Sequence, residues 1–382
     1  MKRALMVASV ASMIDMFNHD NILLLEELGY QVDVACNFQS GNPCSQNRIN
    51  RFKEELENHN RGQIQLDIPR SIYKIKDIVK SYRCLQKKIE HNQYDIVHAH
   101  SPIGGVVARL AAKRARKKGT KVIYTAHGFH FFKGAPLKNW LIFYPIEKLC
   151  GYITDCLITI NKEDYSRAKS SIPAKKISYV PGIGVPVDKI QKTYIDVRKL
   201  KDEFGIKENT RVILSINELS KRKNSEVTLR AFAKSNVDNA VLLFCGTGKL
   251  EDRLKCLAKE LQIEDSVIFA GFREDIYDIL KISDLFIFPT FQEGLPVALM
   301  EAMATGLPVI CSDIRGNRDL VENEKGGYLL QPTDVEGFAN NIVKIINDRQ
   351  LAAEFSKVNL ESIKQFDTTK VNKIMYEVYT NL

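Results

Sequence analysis

Apolar positions along the chain recur in two alternating arrangements: short β-branched and aliphatic runs, and longer stretches with helical spacing. In the first half the short runs are RALMVASV, QVDVAC, QIQLDI, DIVHAH, KVIYTAH, CLITIN and ISYVPG, and the intervening segments predict crossover helices such as Ile14–Leu28 and Ser101–Lys118. Strands alternating with helix-length connections build a parallel, doubly wound sheet. The stretch PGIGVPVDKIQ (181–191) interrupts the periodicity with proline and glycine and is read as the interdomain linker. A second series follows, RVILSIN, AVLLFCG, SVIFAG, LFIFPT, PVICS and GYLLQP, again with helices between. The chain is therefore read as α/β, with two Rossmann-like domains over 1–185 and 190–363. In the closing segment, 364–382, Val371, Met375, Val378 and Tyr379 share one helical face, which predicts a helix docked toward the N-terminal domain.

Composition sharpens this picture. The 382 residues, 45% of them hydrophobic, suffice for two domains of ordinary size. Eight cysteines are scattered without a C-x-x-C pair, which opposes a zinc ribbon, a thioredoxin-type site or a disulfide framework and fits reduced thiols. The opening MKRALMVASVASMID imitates a signal peptide. It is read instead as a buried first strand, Arg3 to Val10, followed by a loop, because cleavage would remove the first element of the alternating pattern. No apolar stretch reaches the roughly 18–20 residues that span a bilayer, so a soluble or peripherally membrane-bound protein is expected.

The net charge of +9 is uneven. Residues 1–187 carry 28 lysines and arginines against 16 acids, a net +12, and residues 188–382 carry 27 against 30, a net −3. The first half is thus expected to face something anionic: nucleic acid, an acidic membrane surface or a phosphorylated acceptor, the plain alternative being a solvated basic face. IYKIKDIVKSYRCLQKKIE and RLAAKRARKKGTK interleave apolar and cationic residues as peripheral membrane helices do, although ordinary packing of a crossover helix accounts for either alone.

The richest chemistry lies in PTFQEGLPVALMEAMATGLPVICSD (289–313). LFIFPT is a strand, FQEGL the loop beyond its carboxyl end, Pro296 stands at a first helical position, and Gly306 ends the helix. Unpaired N–H groups around Gly294, Leu295, Pro296 and Val297, with the positive end of the helix dipole, offer a phosphate site. Glu293 precedes this nest and Glu301 lies more than a turn into the helix. They are placed to accept hydroxyls on opposite sides of a diphosphate, one set from a sugar and one from a ribose.

This segment resembles the E-x7-E motif of family 4 retaining glycosyltransferases, and bacterial exopolysaccharide and capsule members in particular. The resemblance covers nearly the full chain and implies the GT-B fold, two facing Rossmann-like domains with a deep interdomain cleft. It implies that Glu293 contacts the donor sugar, Glu301 the ribose and Gly294–Val297 the phosphates. In SINELSKRKN, Lys223 matches the family's diphosphate-binding lysine, whereas Asn217-Glu218 stands where many members have Gly-Arg, so the usual arginine contact is absent, and whether Lys221 or Arg222 compensates is left open. CGTGKLEDRL lacks the full G-x-G-x-x-G, so NAD is not indicated; Gly246 is read as flexible backbone near the nucleotide. Arg273, in GFREDI, matches the loop that meets the base.

In the first domain, DIVHAH and YTAHGFHFFKGAP end two strands with His98, His100, His127 and His130, but no cysteine or carboxylate is spaced to complete a metal site. TAHG resembles the strand-end histidine aimed at the donor sugar, which assigns His127 to sugar contact, with His130 and Lys133 on the acceptor side. Ser12 stands in a first loop that lacks the family's two phosphate-side glycines. No D-x-D is present, so no metal and no other cofactor is expected. Lys223 and the helix N-terminus would meet the leaving-group charge.

The activity so implied is transfer of a hexose or N-acetylhexosamine from a nucleotide sugar, by family habit a UDP-sugar, to a lipid-linked oligosaccharide, a polyprenyl-diphosphate glycan, at the inner face of the cytoplasmic membrane. The alternatives are a UDP-sugar 2-epimerase of the same architecture and a non-catalytic sugar-nucleotide-binding protein. Nucleic acid is not expected as a partner, for want of an aromatic-basic platform.

Overall fold

The computed structural model describes residues 2–382 and divides into two compact units. One runs to Ile183 and takes in Val371–Leu382; the other is Gly184–Lys370. The division falls inside the expected linker, and the expected C-terminal segment 364–382 is itself shared, its first residues up to Lys370 belonging to the second unit.

The first unit is built on strands β1 (Lys2–Val10), β2 (Tyr30–Asn37), β3 (Gln63–Gln65), β4 (Ile96–His100), β5 (Lys121–Ala126), β6 (Cys156–Thr159) and β7 (Lys176–Tyr179). They form one sheet in the order β3-β2-β1-β4-β5-β6-β7, with every pairing parallel. Alternate residues of β1 feed opposite cores. Ala4, Met6 and Ala8 join the helices on one face, whereas Leu5 and Val7 join those on the other. A strand buried on both sides needs apolar residues at every position, which is why RALMVASV carries no polar alternation. Val371, Met375, Val378 and Tyr379, on the helix Thr368–Thr380, are buried in the core that holds Met6 and Ala8.

The second unit carries β8 (Arg211–Ile216), β9 (Ala240–Cys245), β10 (Val267–Phe269), β11 (Leu285–Phe288), β12 (Val309–Ser312) and β13 (Gly327–Leu330). Their order is β10-β9-β8-β11-β12-β13, again all parallel. In both sheets the strand order reverses at the first strand, so the carboxyl ends of β1 and β4, and of β8 and β11, flank the switch point where such sheets bind ligands.

Two expectations near the amino terminus change. The residues after Val10 are not a loop: the helix Ala11–Phe17 starts directly from β1. The predicted helix Ile14–Leu28 is two helices, Ala11–Phe17 and His19–Glu27, divided at Asn18. The buried Asn18 donates its side-chain amide to the Met13 carbonyl at 2.8 Å, local bonding that competes with the helical ladder.

Candidate functional site

In the second unit the loops after β8 and β11 are tied together before any charged group is considered. Asn224 sits in the left-handed region at φ +59°, a conformation asparagine tolerates. Its side-chain amide donates to the carbonyls of Pro289 (2.9 Å) and Pro332 (2.7 Å). Phe291 N–H donates to the Arg222 carbonyl at 2.9 Å. These bonds place Lys223 over the end of β11, where its ammonium lies 5.0 Å from the centre of the Phe288 ring.

Glu293 Oε1 then accepts from Lys223 Nζ at 2.7 Å, from Thr290 Oγ1 at 2.9 Å and, more loosely, from Arg222 Nη1 at 3.3 Å. Arg222 also donates to the Gln292 carbonyl at 2.9 Å, so of the two cations left open as replacements for the family arginine, Lys221 and Arg222, it is Arg222 that bonds to this loop. The buried Arg315 donates through Nε to the Glu293 carbonyl at 3.2 Å. Sequence reasoning missed Arg315, whose only signal was its place in the loop after β12.

Beyond Glu293 the chain turns into the helix Val297–Ala304. Pro296 is the N-cap with extended φ and ψ, one position earlier than expected. Having no N–H, it can offer a phosphate nothing. The donors of this turn are the amides of Gly294, Leu295 and Val297 and the first helical N–H groups, which have no intrahelical partner and no side-chain cap. At the other end Gly306 takes φ +81°, its N–H bonding to the Met303 carbonyl and that of Leu307 to Ala302, a Schellman closure.

The Glu301 carboxylate, on this helix, has no hydrogen-bond or ion-pair partner among the described residues, and burial pushes its pKa up to about 7. Tyr277 faces it; burial, and then the charge of Glu301, raise the phenol to about 12. Tyr277 was also missed, although it lies four residues beyond Arg273 in the same segment. Arg273 itself is committed to neighbours: Nε and Nη2 donate to both oxygens of Asp275 at 2.8 and 2.6 Å, and Nη1 donates to Glu203 at 2.8 Å. Gly246 donates its N–H to the Gly271 carbonyl at 2.7 Å, and a Cβ there would stand 2.0 Å from the Asn217 carbonyl oxygen. Glycine is required at that point by the close approach of two loops.

In the first unit the strand-end histidines bond to one another. His98 contacts the Tyr379 hydroxyl through Nδ1 and Thr125 Oγ1 through Nε2, both at 2.8 Å. Its ring lies 4.2 Å from that of His100, whose Nδ1 meets His127 Nε2 at 3.1 Å. Burial lowers all three, His98 to about 3 and His127 to about 4, so they are neutral at physiological pH. The loop after His127 is pinned to the helix Lys162–Ser171: Phe129 N–H donates to Asp164 and Lys133 N–H to Glu163. His130 packs on the Phe143 ring, and the Lys133 residue is exposed. Ser12 is buried in the first turn of its helix, its N–H donating to Asn42 Oδ1 at 2.9 Å.

The assembled parts are an anion-accepting helix start with a lysine and two acids beside it in one unit, and a neutral histidine chain at the strand ends of the other. Comparison with known proteins places them. EpsD of Bacillus subtilis (strain 168), assigned as a glycosyltransferase, is 34% identical over 383 residues, 99% of this chain and 96% of that one. The chain belongs to glycosyltransferase family 4. The model described as Glycosyltransferase Family 4 matches residues 19–185, and that described as Glycosyl transferases group 1 matches residues 196–360. The Escherichia coli UDP-Gal:α-D-GlcNAc-diphosphoundecaprenol α-1,3-galactosyltransferase is 32% identical over 314 residues, 80% of each chain. HepE of Anabaena, crystallised in complex with UDP-glucose, shares the fold with a TM-score of 0.79 at 20% identity, covering all of both chains. The two Rossmann-like units of this glycosyltransferase are thus those of the GT-B fold.

Proposed function

We propose that this glycosyltransferase moves a hexose or N-acetylhexosamine from a UDP-sugar to a polyprenyl-diphosphate-linked glycan in surface-polysaccharide synthesis, with retention at the anomeric carbon and without a metal ion. The observation that carries the reading is the junction after β11. There Glu293 is paired with Lys223, an uncapped helix start follows, and the carboxylate of Glu301 has no partner among the described residues.

A nucleoside diphosphate sugar satisfies all three. Its phosphates take the Gly294, Leu295 and Val297 amides and Lys223, its sugar hydroxyls bond to Glu293, and its ribose hydroxyls bond to Glu301, beside Tyr277. Lys223 and the helix start stabilise the negative charge that grows on the leaving diphosphate, the work a divalent ion does elsewhere. In the retaining step the bond from the anomeric carbon to the diphosphate oxygen breaks, the acceptor oxygen bonds to the same face, and its proton passes to the departing phosphate. His127, carried by the first unit, contacts the sugar. His130 and the exposed Lys133 serve the acceptor.

The E. coli relative's name supports the undecaprenyl-linked acceptor, and the UDP-glucose bound to HepE supports the donor. Incubation with UDP-glucose, UDP-galactose and UDP-N-acetylglucosamine in EDTA, with and without a polyprenyl-diphosphate N-acetylglucosamine acceptor, tests the reading. An α-linked product formed only with acceptor is expected. A β-linked product, loss of transfer in EDTA, or a C2-epimerised UDP-sugar formed without acceptor would each overturn it.

A further inference from the structure

We infer that the helix Leu137–Gly151 is the surface by which this protein lies on an anionic lipid bilayer, an inference that rests on the polyprenyl-linked acceptor proposed above. The helix is apolar nearly all round. Its inner side packs Trp140, Phe143 and Tyr144 against the core beneath the first sheet, yet the opposite side is also apolar. Leu137, Leu141 and Leu149 are 73%, 69% and 69% exposed, and Tyr152, just past the end, is 64% exposed. A helix that is apolar on both sides is normally enclosed or set against lipid, and a contiguous exposed apolar patch marks an interaction site.

Charge selects the occupant. Lys138 and Lys148 stand among these leucines, and the helix's only acid, Glu147, is turned inward, where Arg109 binds both its oxygens. The outward face therefore presents apolar groups and cations with no carboxylate. The adjacent helix on the same side of the sheet, Pro102–Arg116, adds the exposed Lys113, and Lys117 and Lys118 follow it, whereas Arg114 is paired with Glu90. Leucine and tyrosine set among lysines suit the headgroup boundary, with the long cationic side chains reaching phosphates. A second copy of the same face would oppose lysine to lysine. Among the described residues no helix is long and apolar enough to cross a membrane, so the helix would lie in the plane of the interface.

Cosedimentation of the full chain with phosphatidylcholine vesicles, with and without phosphatidylglycerol, tests this, using the wild type and the Leu141→Glu, Leu149→Glu double variant. Both leucines are exposed, so the variant keeps its melting temperature and its protection by UDP. That protection reports on the donor site separately from the membrane. The wild type is expected to bind the anionic vesicles, and the variant to bind them at least about tenfold more weakly, from the transfer energy of two leucines. Equal binding by both proteins, or no binding of the wild type to anionic vesicles, would overturn the inference. So would a wild-type dimer in sedimentation equilibrium that the double variant converts to monomer, since a second copy would then cover the face. Vesicle binding without UDP protection would instead leave this surface standing and count against the donor reading.

Discussion

Lys223 Nζ and Glu293 Oε1 lie 2.7 Å apart, so the lysine proposed for the diphosphate and the acid proposed for the sugar form one unit. A donor entering this site is held by both ends of that pair. Lys223→Ala removes an aimed positive charge from the leaving group, an effect on the order of 2.7–4 kcal/mol, and turnover is expected to fall about a hundredfold or more. Because the groups act together, Lys223→Ala with Glu293→Gln should lose less than the product of the two single losses. Steady-state kcat for the four proteins measures this. Unchanged turnover in Lys223→Ala would remove the lysine from the mechanism.

Glu301 carries a testable cost. Its pKa of about 7 in the folded protein exceeds the ordinary value of 4.5, so the folded state binds the proton more tightly. The resulting stability is present in full below pH 4.5 and is lost as pH rises through 7, to the extent of roughly 3 kcal/mol. Glu301→Gln, neutral and of the same shape, should therefore melt higher than the wild type at pH 8 and converge with it at acid pH. The same substitution removes a charged acceptor from the proposed ribose site, weakening UDP binding by about tenfold or more. Wild-type UDP affinity should rise with pH between 6 and 8, and that slope should be shallower in Glu301→Gln, where only ionisation of the UDP terminal phosphate remains. Melting curves and UDP titrations across this range check both effects.

The histidine chain fixes a proton. His100 Nε2 is buried without a hydrogen-bond partner among the described residues, and an orphaned lone pair is tolerated better than an orphaned N–H. His100 therefore carries its proton on Nδ1 and donates it to His127 Nε2, which leaves the His127 proton on Nδ1. Long-range nitrogen–proton NMR on histidine-labelled protein should show the Nδ1–H form of His127, lost or mixed in His100→Ala. With His127 near 4, its titration should leave no inflection in the activity profile between pH 6 and 8.

The strands among the described residues were legible in the sequence, the central ones because a strand buried on both faces must be apolar throughout, and the partly buried edge strands β3, β7 and β10 because they fall in step with the same strand–helix alternation. Lys223 was picked out only by its resemblance to the family's lysine, whereas the paired acids were legible because a strand, a turn and a helix start bracket them. The break at Asn18 was not, since it depends on one side chain bonding back to the Met13 carbonyl within an otherwise helical pattern. Arg315 and Tyr277 were hidden for another reason: each reaches the site from a loop or helix distant in sequence, and only the fold brings them to Glu293 and Glu301. The engagement of Arg273 by Asp275 and Glu203 is likewise a tertiary fact, Glu203 lying 70 residues away. Gly246 was read as flexible, whereas the structure makes it a point of contact.

That contact yields the last prediction. Gly246 has φ +137°, and a methyl group there would stand 2.0 Å from the Asn217 carbonyl oxygen, a backbone atom that cannot turn aside. The loops after β8 and β9 are held together by backbone bonds, Asn217 N–H to Cys245 O and Leu219 N–H to Thr247 O, both at 3.0 Å. Gly246→Ala must separate them as well as strain its own backbone, so a loss of about 2 kcal/mol or more is expected. For a unit of this size that lowers the melting temperature by about 5 °C. The loop pushed aside is the one that carries Lys223, so turnover should fall more than stability alone explains, with UDP protection weakened in parallel. Gly205→Ala serves as the control: it has a similar positive φ, +68°, and open space around the added methyl group, so it bears the backbone strain without the collision. If both variants lose the same stability and neither loses turnover, the close approach at Gly246 has no part in positioning the lysine.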